Sequence, residues 1–380
     1  MQEEYEMYFI YRYSKNYETK LRMVLGSSCQ IIMQPLYLTR FSDVFYNSNY
    51  PEIIKKIFFN IDRIFDFFLI YFIVWVPFCV GKIKKLRPHV VHINNGGYPG
   101  ASSCLAFALA AKHSNVPKII MHVNNLAYKR KWYDLPHYFL DRCLQKDINF
   151  FITGSEAARM QLHEKRGFDF DKIVNINNTV LQDKFSATTE SLIQKPEREL
   201  WIGFVGLLTE RKGVSSLIEA AVILKSELQK RSAKVIIVGD GEQEEELKRL
   251  VKEKHLNDLV IFTGFTAEVY KYLCQFDMFV LPSISNEDFP YVLLEAMLSQ
   301  KPVVSTKLAG IPEIVSNGET GYIITPGNVL ELSEKIEILI SDSDLRLRMG
   351  KKGYERYHSL FSYEETMDKL KKLYSCPTLV

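Results

Sequence analysis

The sequence predicts an α/β protein with two successive domains of parallel strands joined by helices. From about residue 87 onward, short apolar runs alternate with longer helical patterns, which is typical of βα units. A polar segment at residues 183–199 interrupts this pattern, which restarts with the apolar run 200–205. The 380 residues, of which 47% are hydrophobic and 24% charged, are enough for two such domains.

The first half contains six predicted strands. They are residues 8–11, 30–33, 89–93, 118–122, 149–153 and 173–176. Residues 101–113 read as a helix of small side chains, and Ser155 is a suitable N-cap for a helix that continues through Met160. No glycine-rich turn follows the first strand, although a ligand-binding domain of this class normally has one early.

The second half contains five predicted strands, at residues 200–205, 234–238, 259–262, 277–283 and 301–305. An amphipathic helix ends near Lys225, and an acidic helix begins at Glu242. Because the carboxyl ends of parallel strands meet at one edge of a sheet, we expect the ligand at that edge.

Composition excludes several classes of protein. The net charge of +3 and the absence of basic blocks interleaved with aromatic residues argue against a nucleic-acid partner. Six scattered cysteines without a CxxC pair argue against a disulfide framework and a structural zinc site, and favour a reducing compartment. The acidic start, residues 1–6, lacks the layout of a signal peptide, so we expect a cytoplasmic protein.

An unbroken apolar run at residues 67–80 leaves two alternatives open. It is shorter than the roughly 20 residues of a spanning helix, and Lys82, Lys84, Lys85 and Arg87 follow it. It can be a buried helix, since helices inside α/β domains can be apolar all round. It can also contact the inner face of the cell membrane, because basic residues beside an apolar helix favour anionic lipid.

Two carboxylates, Glu287 and Glu295, lie eight positions apart across a predicted loop-to-helix junction. Pro290 suits the first turn of that helix, where its missing N–H is not needed. The free N–H groups at the helix start favour an anion. A ligand with phosphate at one end and hydroxyls at the other, such as a nucleotide sugar, would match both features.

Three other predicted strand ends carry compatible residues. The first is followed by Arg211 and Lys212, the second by Gly239, Asp240 and Gly241, and the third by Phe265. A lysine in this place can neutralise a diphosphate, and the glycines allow close backbone approach. Gln243 and Glu244 stand where a dinucleotide fingerprint needs a further glycine, which disfavours NAD. Each feature alone is commonplace, and their shared order along one domain gives them weight.

With these residues the chain resembles the family 4 retaining glycosyltransferases. The motifs are F-V-G-L-L-T-E-R-K-G, V-G-D-G, F-T-G-F, E-D-F-P-Y-V-L-L-E-A-M, K-P-V-V-S and N-G-E-T-G-Y. The resemblance runs over residues 89–371 and is densest over 204–327. It implies the GT-B fold, in which two doubly wound Rossmann-like domains face a cleft.

The resemblance also implies a division of the chain. Residues 1–190 would form an acceptor-side domain, 191–353 a nucleotide-sugar donor domain, and 354–380 a C-terminal helix that crosses back to the first domain. Residues 5–11 resemble the second strand of such enzymes. The first domain would therefore lack roughly its first βα unit.

The resemblance further implies roles for individual residues. Glu295 would hold the ribose hydroxyls, Glu287 would lie near the transferred sugar, and Lys212 would bind the diphosphate and stabilise the leaving group. His122 matches a histidine beside the transferred sugar, so the implied catalytic set is His122, Glu287 and Lys212. The implied donor-binding residues are Gly206, Arg211, Lys212, Gly239, Gly241, Phe265, Phe289, Pro290, Tyr291 and Glu295.

The implied reaction retains the anomeric configuration and needs neither a metal nor a cofactor. It would move a hexosyl or N-acetylhexosaminyl group from a nucleotide-diphosphate sugar to a glycan or lipid-linked acceptor in surface polysaccharide biosynthesis. Two alternatives stay open, a sugar-nucleotide epimerase or phosphorylase of the same fold and a non-catalytic nucleotide-binding remnant.

Three positions depart from the family pattern. Leu207 stands in place of an arginine that contacts phosphate, so this contact is missing unless Arg211 supplies it. Gln300 replaces a common glycine. Asp288 stands in place of a glycine after the first acid. An extra carboxylate beside a diphosphate is repulsive unless it turns away or caps the helix.

Overall fold

The computed structural model describes residues 6–14, 18–19, 21–22, 32–38, 40, 42–43, 51–130, 135–182, 185 and 195–375. The strands in these ranges are β1 Tyr8–Arg12, β2 Ile32–Leu36, β3 Val90–Asn95, β4 Lys118–Val123, β5 Phe150–Thr153, β6 Ile173–Asn175, β7 Leu200–Val205, β8 Ala233–Val238, β9 Val260–Gly264, β10 Met278–Leu281, β11 Val303–Thr306 and β12 Gly321–Ile324. Most of them coincide with predicted strands within two residues, and β12 was not predicted.

Helices separate most of the strands. They are α1 Glu52–Phe67, α2 Ile70–Leu86, α3 Ser102–His113, α4 Leu135–Asp147, α5 Glu156–Arg166, α6 Val214–Ile223, α7 Lys225–Lys230, α8 Glu244–Glu253, α9 Val269–Leu273, α10 Tyr291–Leu298, α11 Ile311–Ile314, α12 Val329–Ser341, α13 Ser343–Leu360 and α14 Tyr363–Ser375. Short 3₁₀ turns lie at Phe170–Lys172 and Glu210–Lys212. The predicted alternation of strands and helices is therefore confirmed.

The described strands form three sheets. The largest has six strands in the order β12-β11-β10-β7-β8-β9, all paired in parallel. A second sheet has the order β3-β4-β5-β6, and a third joins β1 and β2 in parallel. Strands β7, β10 and β11 are buried along their whole length, which explains why β7 and β10 read as continuous apolar runs. Their carboxyl ends bring the predicted site loops to one edge.

The chain divides into two compact units. The first comprises Met1–Asn95, Pro99–Met121 and Lys129–Asn149, and the second comprises Gly96–Tyr98, His122–Tyr128 and Phe150–Val380. In the second unit α6 packs against α8 and α12, and α10 packs against α13. The predicted domain boundary at residue 190 lies outside the described residues and stays a prediction, as does most of the predicted linker.

The apolar run at residues 67–80 does not form one helix. Helix α1 ends at Phe67, Leu69 adopts a left-handed conformation with φ 53°, and α2 begins at Ile70. One face of α2 is buried through Tyr71, Trp75 and Cys79. The buried-helix alternative is therefore correct for that face only.

The C-terminal helices were predicted from residue 354, but α13 begins earlier, at Ser343. Asp342 caps it by accepting a hydrogen bond from the backbone N–H of Leu345 at 2.8 Å. Tyr357 on α13 is buried, and its hydroxyl donates to the carbonyl oxygen of Val180 at 2.8 Å. This bond ties α13 to the segment that follows β6.

No single helix in the described part of the chain has both the length and the apolar character needed to cross a membrane. Helices α1 and α2 meet those requirements only when taken as a pair, and the pair is bent by 73°.

Candidate functional site

The centre of the candidate site is a buried carboxylate surrounded by donors. The Glu287 Oε2 atom accepts from Lys212 Nζ at 2.5 Å, from Ser283 Oγ at 3.0 Å and from Arg211 Nη1 at 3.3 Å. Lys212 and Glu287 are 8% and 9% exposed. Arg211 and Lys212, predicted from one motif, therefore contact Glu287, predicted from another, and Ser283 is an unpredicted fourth member of this group.

Backbone contacts between two loops bring these side chains together. Gly213 follows the 3₁₀ turn that carries Arg211 and Lys212, and it has φ 67°. A Cβ at this position would lie 2.1 Å from the Pro282 carbonyl oxygen, so only glycine allows the loops to approach this closely. The N–H of Ile284 donates to the Arg211 carbonyl oxygen at 2.8 Å, which holds the loops in register.

The buried ion pair costs desolvation energy that its own attraction offsets only in part. A well-packed apolar pair often stabilises a fold as well or better, so stability does not explain the choice of these residues. The structure instead places Lys212 and the adjacent Arg211 at the carboxyl edge of β7. This arrangement suits a ligand that carries negative charge.

The glycines after β8 let two site loops pack backbone to backbone. A Cβ on Gly239 would lie 1.9 Å from the Gly206 carbonyl oxygen, and one on Gly241 would lie 2.3 Å from that of Leu208. The N–H of Leu208 donates to the Asp240 carbonyl oxygen at 2.7 Å. The residues that approach these glycines closely in the structure are thus part of the neighbouring loop.

Helix α10 begins just after these loops. Pro290 stands at its N-cap, one position before the predicted first turn, because its ψ of 124° is extended. Phe289 is buried against the ring of Phe361, with ring centroids 5.5 Å apart, so it can reach a ligand only through its backbone. Tyr291 is exposed in the first turn, and Glu295 lies half-buried one turn later.

Asp288 turns away from Lys212. Its Oδ1 atom accepts from the hydroxyl of Ser155, and the side chain is 2% exposed. Burial raises the pKa of Asp288 to about 6, and the nearby Glu313 carboxylate also raises this pKa, while the Ser155 hydrogen bond opposes the rise. Because the Asp288 carboxylate points toward Ser155, the repulsion that it would exert on a diphosphate in the site is reduced.

The surroundings of Asp288 form a cluster that sequence reasoning did not anticipate. Ser155 is the predicted N-cap of α5 and accepts from the Ala158 N–H at 2.9 Å. Glu313 caps the same helix, since its two carboxylate oxygens accept from the N–H groups of Glu156 and Ala157 at 2.9 Å each. Ser155 and Asp288 are 133 positions apart, so no local pattern signals their contact.

The remaining predicted residues lie at other strand ends. His122 is half-buried near the carboxyl end of β4. Phe265 directly follows β9 and is largely exposed. Within the described residues no group of three His, Cys, Asp or Glu side chains is arranged to hold a metal. Independence from metal stays a prediction, as do the roles of the site residues.

Comparisons with known proteins test the family resemblance and the fold. Residues 188–356 match the family model described as Glycosyl transferases group 1. The chain is 31% identical over 163 residues to the N-acetyl-alpha-D-glucosaminyl L-malate synthase of Bacillus anthracis, covering 43% of this chain and 42% of the relative. It is 27% identical over 252 residues to the capsular polysaccharide biosynthesis glycosyltransferase CapM of Staphylococcus aureus, covering 63% and 59%.

These alignments span about half the length of the curated relatives. Among solved structures, Anabaena HepE in complex with UDP has a TM-score of 0.71 at 17% identity, covering 97% of this chain and 92% of that one. At this identity the likeness shows the fold alone. The predicted resemblance is confirmed: residues 188–356 match the group 1 glycosyl transferases, and the chain has a two-domain Rossmann-like GT-B fold.

Proposed function

We propose that the protein is a retaining glycosyltransferase that uses a nucleotide-diphosphate sugar and needs no metal in the site. The observation that carries this proposal is the meeting of Lys212, Arg211 and Glu287 at the carboxyl edge of β7, beside the N-terminus of α10. Two cations and the free N–H groups of a helix start form a site for a diphosphate. A carboxylate within this group can accept from a sugar hydroxyl.

In the proposed reaction the bond between the anomeric carbon and the phosphate oxygen breaks while the acceptor oxygen bonds to that carbon from the same face. The acceptor's proton passes to a donor phosphate oxygen, and the nucleoside diphosphate leaves. Lys212 and Arg211 would stabilise the negative charge that grows on the leaving phosphate. Arg211 would also supply the contact that Leu207 does not make.

The other predicted residues would hold the rest of the donor. Glu295, one turn into α10, would accept from two ribose hydroxyls through charge-assisted hydrogen bonds. Phe265 would lie near the base, and His122 would lie beside the transferred sugar. The transferred group would be a hexosyl or N-acetylhexosaminyl unit.

We further propose a glycan or lipid-linked acceptor of a surface polysaccharide, and a place at the inner face of the cell membrane. The name of CapM and the apolar run followed by basic residues support this choice. UDP-sugars are the first donors to examine, because HepE was solved with UDP.

Isothermal titration with UDP-, GDP- and ADP-sugars, followed by assays of donor hydrolysis and transfer, tests the proposal. Glu295→Ala should weaken binding of the preferred donor by about 10- to 100-fold, since two charge-assisted hydrogen bonds are lost. Glu219→Ala, which changes an exposed glutamate on α6, is the matched control and should leave affinity unchanged. Unchanged affinity in Glu295→Ala would refute the ribose assignment, and binding without turnover would favour the nucleotide-binding alternative.

A further inference from the structure

The outer faces of α1 and α2 expose several large apolar side chains. On α1 and at the break they are Ile53, Ile57, Ile64, Phe67 and Phe68, and on α2 they are Ile73, Val74 and Phe78. Ile53 and Ile73 are each 73% exposed, which is unusual for isoleucine. An apolar surface of this extent on one helix pair indicates a site of interaction.

The inner faces of the same helices are already occupied. Helix α2 packs against α3 through a face that includes Tyr71, Trp75 and Cys79. The guanidinium of Arg40 lies 5.3 Å from the centre of the Tyr71 ring and 5.9 Å from that of Trp75. These contacts fix the rotation of α2, so its outer face cannot turn inward to bury its apolar residues.

Most of the described charges of the helix pair are sorted between the two faces. Asp62 and Asp66 point inward, where Asp62 accepts from the backbone N–H of Ser42 at 3.0 Å and Asp66 accepts from Arg40 at 2.8 Å. Lys82 is half-buried and donates to Gln34 Oε1 at 2.5 Å, whereas five other basic residues point outward and form no ion pair within the described residues. They are Lys56, Arg63, Lys84, Lys85 and Arg87, all exposed.

We propose that the outer faces of α1 and α2 form a docking surface for an anionic lipid bilayer. Apolar side chains of this kind can enter the boundary between headgroups and acyl chains, while neighbouring lysines and arginines bind lipid phosphates. A second copy of the chain fits less well, because a symmetric contact would bring equal positive charges together. The inference deepens the membrane-face part of the proposed function.

Co-sedimentation of the full chain with vesicles tests the proposal. We expect binding to phosphatidylcholine vesicles that contain phosphatidylglycerol, weaker binding as salt rises, and little binding to phosphatidylcholine alone. The double change Lys56→Ser and Arg63→Ser should lower the partition coefficient about 25-fold, since each basic residue contributes about fivefold near an anionic surface. The pair Ile57→Ser and Ile73→Ser should lower it about tenfold.

The matched control is the pair Leu347→Ser and Lys352→Ser, which removes an exposed apolar and an exposed basic side chain from α13. It should bind vesicles like the unaltered chain. Failure to bind anionic vesicles at low salt, or equal loss in the control, would overturn the proposal. So would a dimer, measured by light scattering, that the isoleucine changes convert to a monomer.

Titration of the same samples with a UDP-sugar separates this inference from the proposed function. A chain that binds the nucleotide sugar but not the vesicles contradicts only the docking surface. A chain that binds vesicles but no nucleotide sugar contradicts only the donor site.

Discussion

Lys212 and Glu287 hold opposite charges where little water reaches them. Their attraction is strong in such surroundings, but each charge would be costly if left alone. Glu287 also accepts hydrogen bonds from Ser283 and from Arg211. Lys212 is nearer to it than Arg211 and is its main counter-charge. The pair therefore keeps Lys212 in one orientation before a ligand arrives, and a diphosphate would compete with Glu287 for it.

The coupling of this pair gives a prediction. Lys212→Met should lower the free energy of unfolding by about 3 to 5 kcal/mol, because it leaves a buried carboxylate without its main partner. Adding Glu287→Gln should recover most of that loss, since the remaining side chain is neutral. Urea unfolding of the two single variants and the double variant measures the coupling, and strictly additive effects would contradict it.

Asp288 gives a prediction about pH. Burial raises its pKa from 3.8 to about 6 in the folded protein. Between these two pH values the folded state therefore holds a proton that the unfolded state has already released. Stability from this group is present below about pH 4 and is lost as pH rises through about 6. The loss amounts to roughly 3 kcal/mol for a shift of about two pH units.

Asp288→Asn should remove this dependence while keeping an oxygen that accepts from Ser155. We expect the difference in unfolding free energy between the variant and the unaltered protein to change by about 2 to 3 kcal/mol between pH 4 and pH 7, in favour of the variant. Urea titrations across this range measure the difference. Asp258→Asn, at an exposed aspartate, is the control, and parallel pH curves for all three proteins would disprove the interpretation.

At the scale of elements, the site depends on loops that approach one another at strand ends. Gly213 and Gly239 have φ of 67° and 138°, and both lie against a carbonyl oxygen of a neighbouring loop. The strands supply a rigid edge, and the glycines let the loops pack closely enough to bring Arg211 and Lys212 to Glu287. Helix α10 then begins at this edge.

Gly213→Ala tests this dependence. It combines a positive φ with a Cβ 2.1 Å from the Pro282 carbonyl oxygen, whereas Gly327→Ala has φ 76° and open space around the Cβ. Both should lose about 1 kcal/mol from backbone strain, and Gly213→Ala should lose about 2 kcal/mol more from overpacking. Thermal unfolding measures the losses. Equal effects of the two changes would show that the loop contact does not require glycine.

At the scale of the whole molecule, the two compact units carry different surfaces. The second unit contains the cluster around Glu287, in which positive charge is partly neutralised and buried. The first unit contains the outer faces of α1 and α2, where positive charge is exposed beside apolar side chains. The small net charge of +3 hides this separation, because it sums over the chain and ignores position.

The sequence alone determined the α/β class, most of the strands and the placement of Lys212, Arg211 and Glu287 at one edge of a sheet. These features follow from local periodicity and from the rule that parallel strands end at one edge. It did not determine that Asp288 turns toward Ser155, because their contact joins segments 133 positions apart. The tertiary structure also decided which face of α2 is buried, since an apolar run with a break at Leu69 does not specify its own neighbours.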